Sequence, residues 1–357
     1  MKPEKPLRVL VAGLGTMGLS HALAYQANPG FETAALVNRS NVQLPSQLRS
    51  REIRRSFLDT LREIKPDVAS INTYPGTHAE YCVAALDAGC HVFVEKPLAA
   101  SLSDAERVVA AAKANCRKLV IGYILQHHPS WQLFIKEARR LGGPYVFHMN
   151  LNQQSSGTRW NTHKKILETM SPLVDCGVHY IDAMCQITDA NPIEVRGMGL
   201  RLTEEVPSGT FNYGHLQVLF ANGSVGWYES GWGPMISGTA FFVKDVISPK
   251  GSISIVVEDA ADSSDIDNAL RTSKLRVHLS DVGADGNFVA PDTFLSMVGE
   301  PNHQELCESE QAFLLQAIRE DTDLTRHHAD AVNSLAVCIA ADTSILSRHP
   351  IRIQTLL

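Results

Sequence analysis

The stretch Arg8–Gly18, RVLVAGLGTMG, decides the fold. An apolar, valine-rich run ends in three glycines, Gly13, Gly15 and Gly18, and a helical pattern begins at once, near Met17–Ala27. A G-x-G-x-x-G pattern alone is weak, but one placed where a strand turns into a helix is specific. Each glycine answers a separate need. Gly13 permits a tight turn, Gly15 lets backbone approach a pyrophosphate, and Gly18 lets the helix lie close on the strand. The helix start, including Leu14, Thr16 and Met17 between the glycines, then offers unpaired N–H groups and partial positive charge to phosphate. The stretch reads as a dinucleotide cradle.

Working outward, short apolar runs alternate with helical ones as far as residue 125. The strands are AALVN, VASINTY, HVFVEK and KLVIGYI; the helices are FLDTLREI, HAEYCVAALDAG and DAERVVAAAKAN, with an irregular segment at 40–52. Near-continuous apolar strands are those of a parallel sheet covered on both faces. The fold class is therefore α/β, with an N-terminal Rossmann, doubly wound parallel sheet over residues 1–125. Beyond it the pattern changes. A linking helix (SWQLFIKEARRLG), a strand (YVFHMNLNQ), a polar loop and a helix with Ser171 as N-cap and Pro172 in its first turn lead into hairpins. One hairpin turns at Asn222-Gly223, a second at SPKG, and LRVHLS adds a further strand. Residues 126–357 thus read as a C-terminal α+β domain with a large, mostly antiparallel, open-faced sheet and two C-terminal helices. An uncovered apolar face on that sheet would be buried against another subunit.

Composition narrows the functions. The 357 residues carry a formal charge of −6 with no basic patch, which argues against a nucleic-acid partner. Seven cysteines, an odd number without C-x-x-C spacing, suit a reduced, cytoplasmic chain. The N-terminus has no signal-peptide pattern, and no apolar run reaches membrane-spanning length.

About twenty residues past Gly18, where an acidic side chain would bind the ribose of NAD, stand Asn38, Arg39 and Ser40. An amide does not repel a 2′-phosphate and an arginine attracts one, so NADP is favoured over NAD.

A second stretch, DCGVHYID, sets Asp175, His179 and Asp182 along one helix face within apolar surroundings. A surface helix would show the same stripe, and a metal hydrolase would use such groups as ligands. No second ligand cluster accompanies them, and no metal is expected.

Three motifs together, AGLGTMG, VFVEKPLA (Val92–Ala99) and VDCGVHYID, resemble the glucose–fructose oxidoreductase / inositol dehydrogenase (Gfo/Idh/MocA) family of NAD(P)-dependent oxidoreductases. The resemblance implies an active site between a Rossmann domain and a sheet domain, sugars or polyols as substrates, and dimers or tetramers formed through the open sheet. It matches Lys96 to the catalytic lysine, and Asp175 and His179 to the acid/base pair. TYPGTH, with Thr73, Tyr74, Pro75 and His78, looks like the loop near the nicotinamide ribose, Tyr74 standing where proline is usual. Glu95 and Lys96 join the coenzyme contacts, while Tyr123, Trp160 and Asp182 are expected at the substrate. Chemically, histidine suits proton transfer from an alcohol, an Asp nearby raises its basicity, and a lysine stabilises charge on the reacting oxygen. A bend at Lys96-Pro97 would be a cis bond. A non-catalytic NAD(P)-binding regulator and an NAD-dependent glycosidase share the fold.

Overall fold

β1 (Leu7–Ala12) is apolar at successive positions because it lies in the middle of a sheet covered on both faces. The computed structural model describes residues 5–237, 243–256 and 272–354. With β2 (Phe31–Val37), β3 (Ile53–Arg54), β4 (Val68–Ile71), β5 (His91–Glu95) and β6 (Leu119–Gly122), it forms a parallel sheet in the order β3-β2-β1-β4-β5-β6. This is the doubly wound order, with its switch point beside β1. β3 follows directly on the segment 40–52 read as irregular, and its two residues are too few to show a period.

The helices of this sheet are α1 (Thr16–Ala27), α2 (Phe57–Ile64), α3 (His78–Asp87) and α4 (Leu102–Ala114). Ser56 and Ser101 cap α2 and α4 by accepting the N–H groups of Asp59 and Asp104. The chain's first compact unit comprises residues 1–127 together with 301–332. The sequence reading places all of 126–357 in the second domain, so the C-terminal part differs. Leu314, Ala317 and Leu324 share one apolar cluster with Val9, Val11, Leu36 and Phe93, and burial of those side chains draws the segment to the first unit.

The second unit, residues 128–300 and 333–357, is built on a nine-stranded sheet. Its strands are β7 (Val146–Gln154), β8 (Pro192–Leu200), β9 (Tyr213–Phe220), β10 (Val225–Gly233), β11 (Lys244–Ser248), β12 (Gly251–Val256), β13 (Lys274–Leu279), β14 (Thr293–Ser296) and β15 (Ile351–Arg352). They run β14-β13-β12-β11-β7-β10-β9-β8-β15, and only β7 with β10 is parallel. Both expected hairpins form, β9–β10 and β11–β12, although residues 240–242 and 257–259 of the second lie outside the described residues. Gly223 takes φ +84° in the first turn, a conformation that glycine adopts without strain.

One face of this sheet is covered by α5 (Pro129–Leu141), α7 (Pro172–Asp175) and α8 (Gly177–Thr188). The opposite face is mixed. One cross-strand row runs Arg196, Gln217, Trp227, His148, Asp245, Ser254, Arg276, Phe294 and is mostly polar, while the next, Glu194, Leu219, Val225, Val146, Ile247, Ser252, His278, is more than half apolar. The buried, helix-facing residues alternate with it, which is why Tyr228 and Trp232 of the aromatic segment on β10 are interior while Trp227 is not.

Two further readings are corrected. The segment expected as a polar loop contains α6 (Gly157–Leu167), since Trp160, His163 and Leu167 recur at helical spacing and bury one face. The helix expected to carry Asp175, His179 and Asp182 is broken at Cys176 into α7 and α8. Downstream are α9 (His303–Arg319), opened by an Asn302–Glu305 capping box, and α10 (Thr325–Ser347). The last is long and apolar enough to cross a membrane, contrary to the sequence reading, and 67% of its apolar window is buried inside the fold. That burial is what a core helix shows. All seven cysteines are free thiols.

Candidate active site

In the first unit the site is built around the start of α1. The N–H of Gly13 is bonded to the Val37 carbonyl, and Gly13 has φ +83°. A Cβ there would lie 2.4 Å from the Asn72 carbonyl oxygen, and one on Gly18 would lie 1.8 Å from that of Gly13. These two glycines let backbones touch. Gly15 differs: a Cβ on it would meet nothing within 4 Å, so open space faces this backbone. Gly15 is also the N-cap of α1, with no side-chain cap bond and no acidic residue in the first turn. The orphan N–H groups and positive dipole end of this helix are therefore not answered by the chain's own side chains. A pyrophosphate fits that cradle, and Gly15, Thr16 and Met17 are the residues whose backbone N–H groups would hold it.

Asn38 organises the cradle's far side. Its Oδ1 accepts the Leu14 N–H at 3.0 Å, and its Nδ2 donates to the Ser40 carbonyl at 2.9 Å and hydroxyl at 3.2 Å. Arg39 and Ser40 are exposed. Arg55, passed over in the sequence reading, donates to the carbonyls of Asn38 and Arg39 at 3.2 and 3.3 Å and to the side chain of Asn41. Its neighbour Arg54 is instead occupied by Glu63. Nothing in the local sequence separates the two arginines; pairing with β2 does.

The loop from Thr73 to His78 is fastened by His78. This buried imidazole faces the Thr73 carbonyl with Nε2 at 2.9 Å and the Pro97 carbonyl with Nδ1 at 2.8 Å, and burial holds its pKa below the usual histidine range. His78 thus shapes the loop, while Tyr74 beside it is 70% exposed and Pro75 opens a short 3-10 turn. Thr73 and Thr77 exchange a 2.7 Å hydroxyl bond. Lys96 follows β5, half-buried, and Lys96-Pro97 is cis. Glu95 is buried and bound to His21 and to the Lys96 N–H. Tyr123 is wholly buried, its ring edge-on to His327.

The second unit carries the stripe. From Ser171 to Cys185 every residue is buried except Asp175 and His179. Two polar groups, one on either side of the break at Cys176, are the only openings in an otherwise dry segment. Ser171 caps α7 by accepting the Val174 N–H, and the Cys176 thiol donates towards Asp175 Oδ2 at 3.5 Å. Asp182 is interior, accepting from Gln186 Nε2 at 2.8 Å. Trp160 packs with Leu167, Cys176, Val206 and Trp232, and its indole N–H donates to Glu205 at 3.1 Å. It is an anchor of α6. His163, not singled out beforehand, stacks on Trp232 at 4.4 Å and bonds the Ser155 hydroxyl. Burial and the charge of Arg159 lower its pKa to about 4, partly offset by Asp175, so it is neutral near pH 7.

The geometry of both halves has a counterpart in known proteins. Residues 7–123 match the family described as "Oxidoreductase family, NAD-binding Rossmann fold", and residues 135–236 match the "GFO/IDH/MocA C-terminal domain". The chain belongs to the GFO/IDH/MocA oxidoreductase family.

Within this family it is 29% identical to inositol 2-dehydrogenase of Paracoccus denitrificans over 198 residues, covering 53% of this chain and 56% of that protein. It is 30% identical to D-glucoside 3-dehydrogenase of Escherichia coli over 194 residues, 50% and 53% of the two chains. The chain thus spans little more than half the length of either relative. The crystal structure of scyllo-inositol dehydrogenase from Lactobacillus casei, with bound NAD(H) and scyllo-inositol, superposes with a TM-score of 0.75. That superposition covers 98% of this chain and 99% of that one at 15% identity, and shows a shared fold.

Proposed function

We propose that the protein is an NAD(P)-dependent dehydrogenase acting on a secondary alcohol, or the corresponding ketone, of a sugar, polyol or related derivative. The single observation that carries the reading is the isolation of Asp175 and His179 as the openings in a buried segment, in a family whose relatives are named as dehydrogenases of inositol and glucosides. When bound, the coenzyme supplies the hydride acceptor. The chain's own work is the proton and the charge. His179 accepts the hydroxyl proton during oxidation and returns it during reduction. Asp175, four residues before it across the break at Cys176, favours the imidazolium that forms. Lys96 donates to the reacting oxygen and stabilises the negative charge that develops there.

NADP is favoured over NAD. Asn38 presents an amide where a carboxylate would repel a 2′-phosphate, and Arg39 and Arg55 bring two guanidinium groups to the same loop. The open sheet face is the proposed contact between copies, because Trp227, Met198 and Val225 stand among its polar side chains.

A panel of polyols and sugars, each offered with NAD and with NADP and read by nicotinamide absorbance, tests the reading. Reduction of coenzyme by at least one member, faster with NADP, is the expected result. No turnover in either direction with any member removes it.

A further inference from the structure

Behind Lys96 lies a polar chain that the proposed chemistry does not use. Glu95 ends β5 and is interior, yet both of its oxygens are taken. Oε1 lies 2.7 Å from Nε2 of His21, and Oε2 accepts the Lys96 backbone N–H at 3.1 Å. His21 belongs to α1, one turn beyond the phosphate cradle, and is 0% exposed. Its ring packs against Phe93 of β5 with centroids 4.6 Å apart. On its other side, Nδ1 lies 2.9 Å from Nε2 of Gln311, a fully buried residue of α9. With the amide donating to Nδ1, the imidazole proton sits on Nε2 and is directed at Glu95.

Glu310, Cys307 and His303 of α9 and Tyr25 of α1 are the other titratable groups in this interior. Burial, reinforced by the charge of Glu95, holds the Glu310 carboxyl well above its usual range, so it keeps its proton, and burial likewise keeps Cys307 a thiol. Of the two carboxyls, Glu95 is the one placed against His21 Nε2 and the Lys96 N–H. Space for it is provided by Gly122, its register partner on β6. A Cβ there would come within 3.1 Å of Phe93 and 3.4 Å of Glu95.

We propose that Glu95 and His21 are positioning residues for Lys96, a relay Gln311–His21–Glu95–Lys96 that ties the phosphate-receiving helix α1 to the backbone of the lysine. This rests on the function proposed above only for the role of Lys96; the linkage itself is a property of the first unit. Through it, a coenzyme seated at the start of α1 influences how Lys96 is presented, since α1 and β5 share the buried imidazole. Single hydrogen bonds to a charged group contribute enough to hold such an arrangement, and small misplacement of a reacting group is costly to rate.

The test uses the full chain with its lysines reductively ¹³C-methylated, the Lys96 signal being assigned by its loss in Lys96→Arg. Glu95→Gln keeps the shape but leaves one acceptor for two donors. Gln311→Met keeps the volume, removes the donor to Nδ1, and reads the relay should Glu95→Gln fail to fold. The expected result is that the Lys96 signal and its titration midpoint move in the same direction in both variants, and that their response to NADP or NAD is reduced. Turnover should fall by roughly 10–100-fold with KM and coenzyme dissociation constant near wild type. A Lys96 signal and titration unchanged in both variants, with only the unfolding midpoint lowered, overturns the relay and leaves the cluster a core fastener. A chain that turns over no substrate yet shows the linked shift keeps the relay and removes the function; normal turnover with an unmoved signal does the reverse.

Discussion

The Ser171 hydroxyl donates to Asp342 Oδ1 at 2.7 Å while accepting the Val174 N–H at 3.1 Å, so a half-buried acid on α10 holds the cap of the short helix that carries Asp175. Burial raises the Asp342 pKa from 3.8 to about 7, the Ser171 hydrogen bond opposing that shift. A carboxyl whose folded pKa is raised contributes stability that is complete below its unfolded pKa and is lost as pH rises through the folded value. Stability should therefore decline between about pH 4 and pH 7 by on the order of 2–4 kcal/mol from this group. Asp342→Asn should flatten that component in urea unfolding measured across the window, and an unaltered pH profile would contradict it. Ser171→Ala should cost about 1 kcal/mol through loss of the cap.

Lys96→Ala and His179→Ala should each lower turnover by roughly 10²–10⁴-fold, the range for groups that handle protons or oxyanions. Fluorescence titration of His179→Ala should give a coenzyme dissociation constant close to wild type. Near-normal turnover in both variants refutes the assignment.

Gly15 and Gly18 separate ligand contact from packing. Gly15→Ala adds a methyl to open space at an ordinary backbone angle, so thermal unfolding should be unchanged while coenzyme binding weakens. Gly18→Ala drives a methyl to 1.8 Å from the Gly13 oxygen and should lower the melting temperature. Equal effects of the two on melting would remove the distinction.

Asn38→Asp keeps an oxygen for the Leu14 N–H but adds negative charge beside the loop, at the cost of the bond to Ser40. Coenzyme preference should move from NADP towards NAD by about tenfold or more, a change of about 1.4 kcal/mol. Arg55→Ala should weaken NADP more than NAD. Unaltered ratios of dissociation constants in both variants would exclude a phosphate contact at this loop.

Trp160 is held in a five-residue apolar cluster, so Trp160→Ala should destabilise by about 3–5 kcal/mol and Trp160→Phe far less. Calorimetry of the two variants checks this; a stable Trp160→Ala would mean that the indole is not an anchor.

The amino-acid order by itself determined the Rossmann half, because its signals are local. A strand period, a glycine spacing and the capping serines act over a few residues, and the hairpin turn at Asn222-Gly223 is of the same kind. The partial exposure of Asp175 and His179 was legible for the same reason, whereas Asp182 of the same spacing is buried; the break at Cys176 has a local signal in Gly177, the residue after the α7 C-cap, which the helical spacing of the polar groups masked. Tertiary structure alone decided which partners distant side chains take. It assigned Arg55 rather than Arg54 to the loop after β2 and drew residues 301–332 to the first unit. It also made Trp160 an anchor and joined His21 to Glu95 and Gln311 across 74 and 290 residues. Burial of apolar surface and satisfaction of buried polar groups are collective conditions, met only when the whole chain has chosen its neighbours.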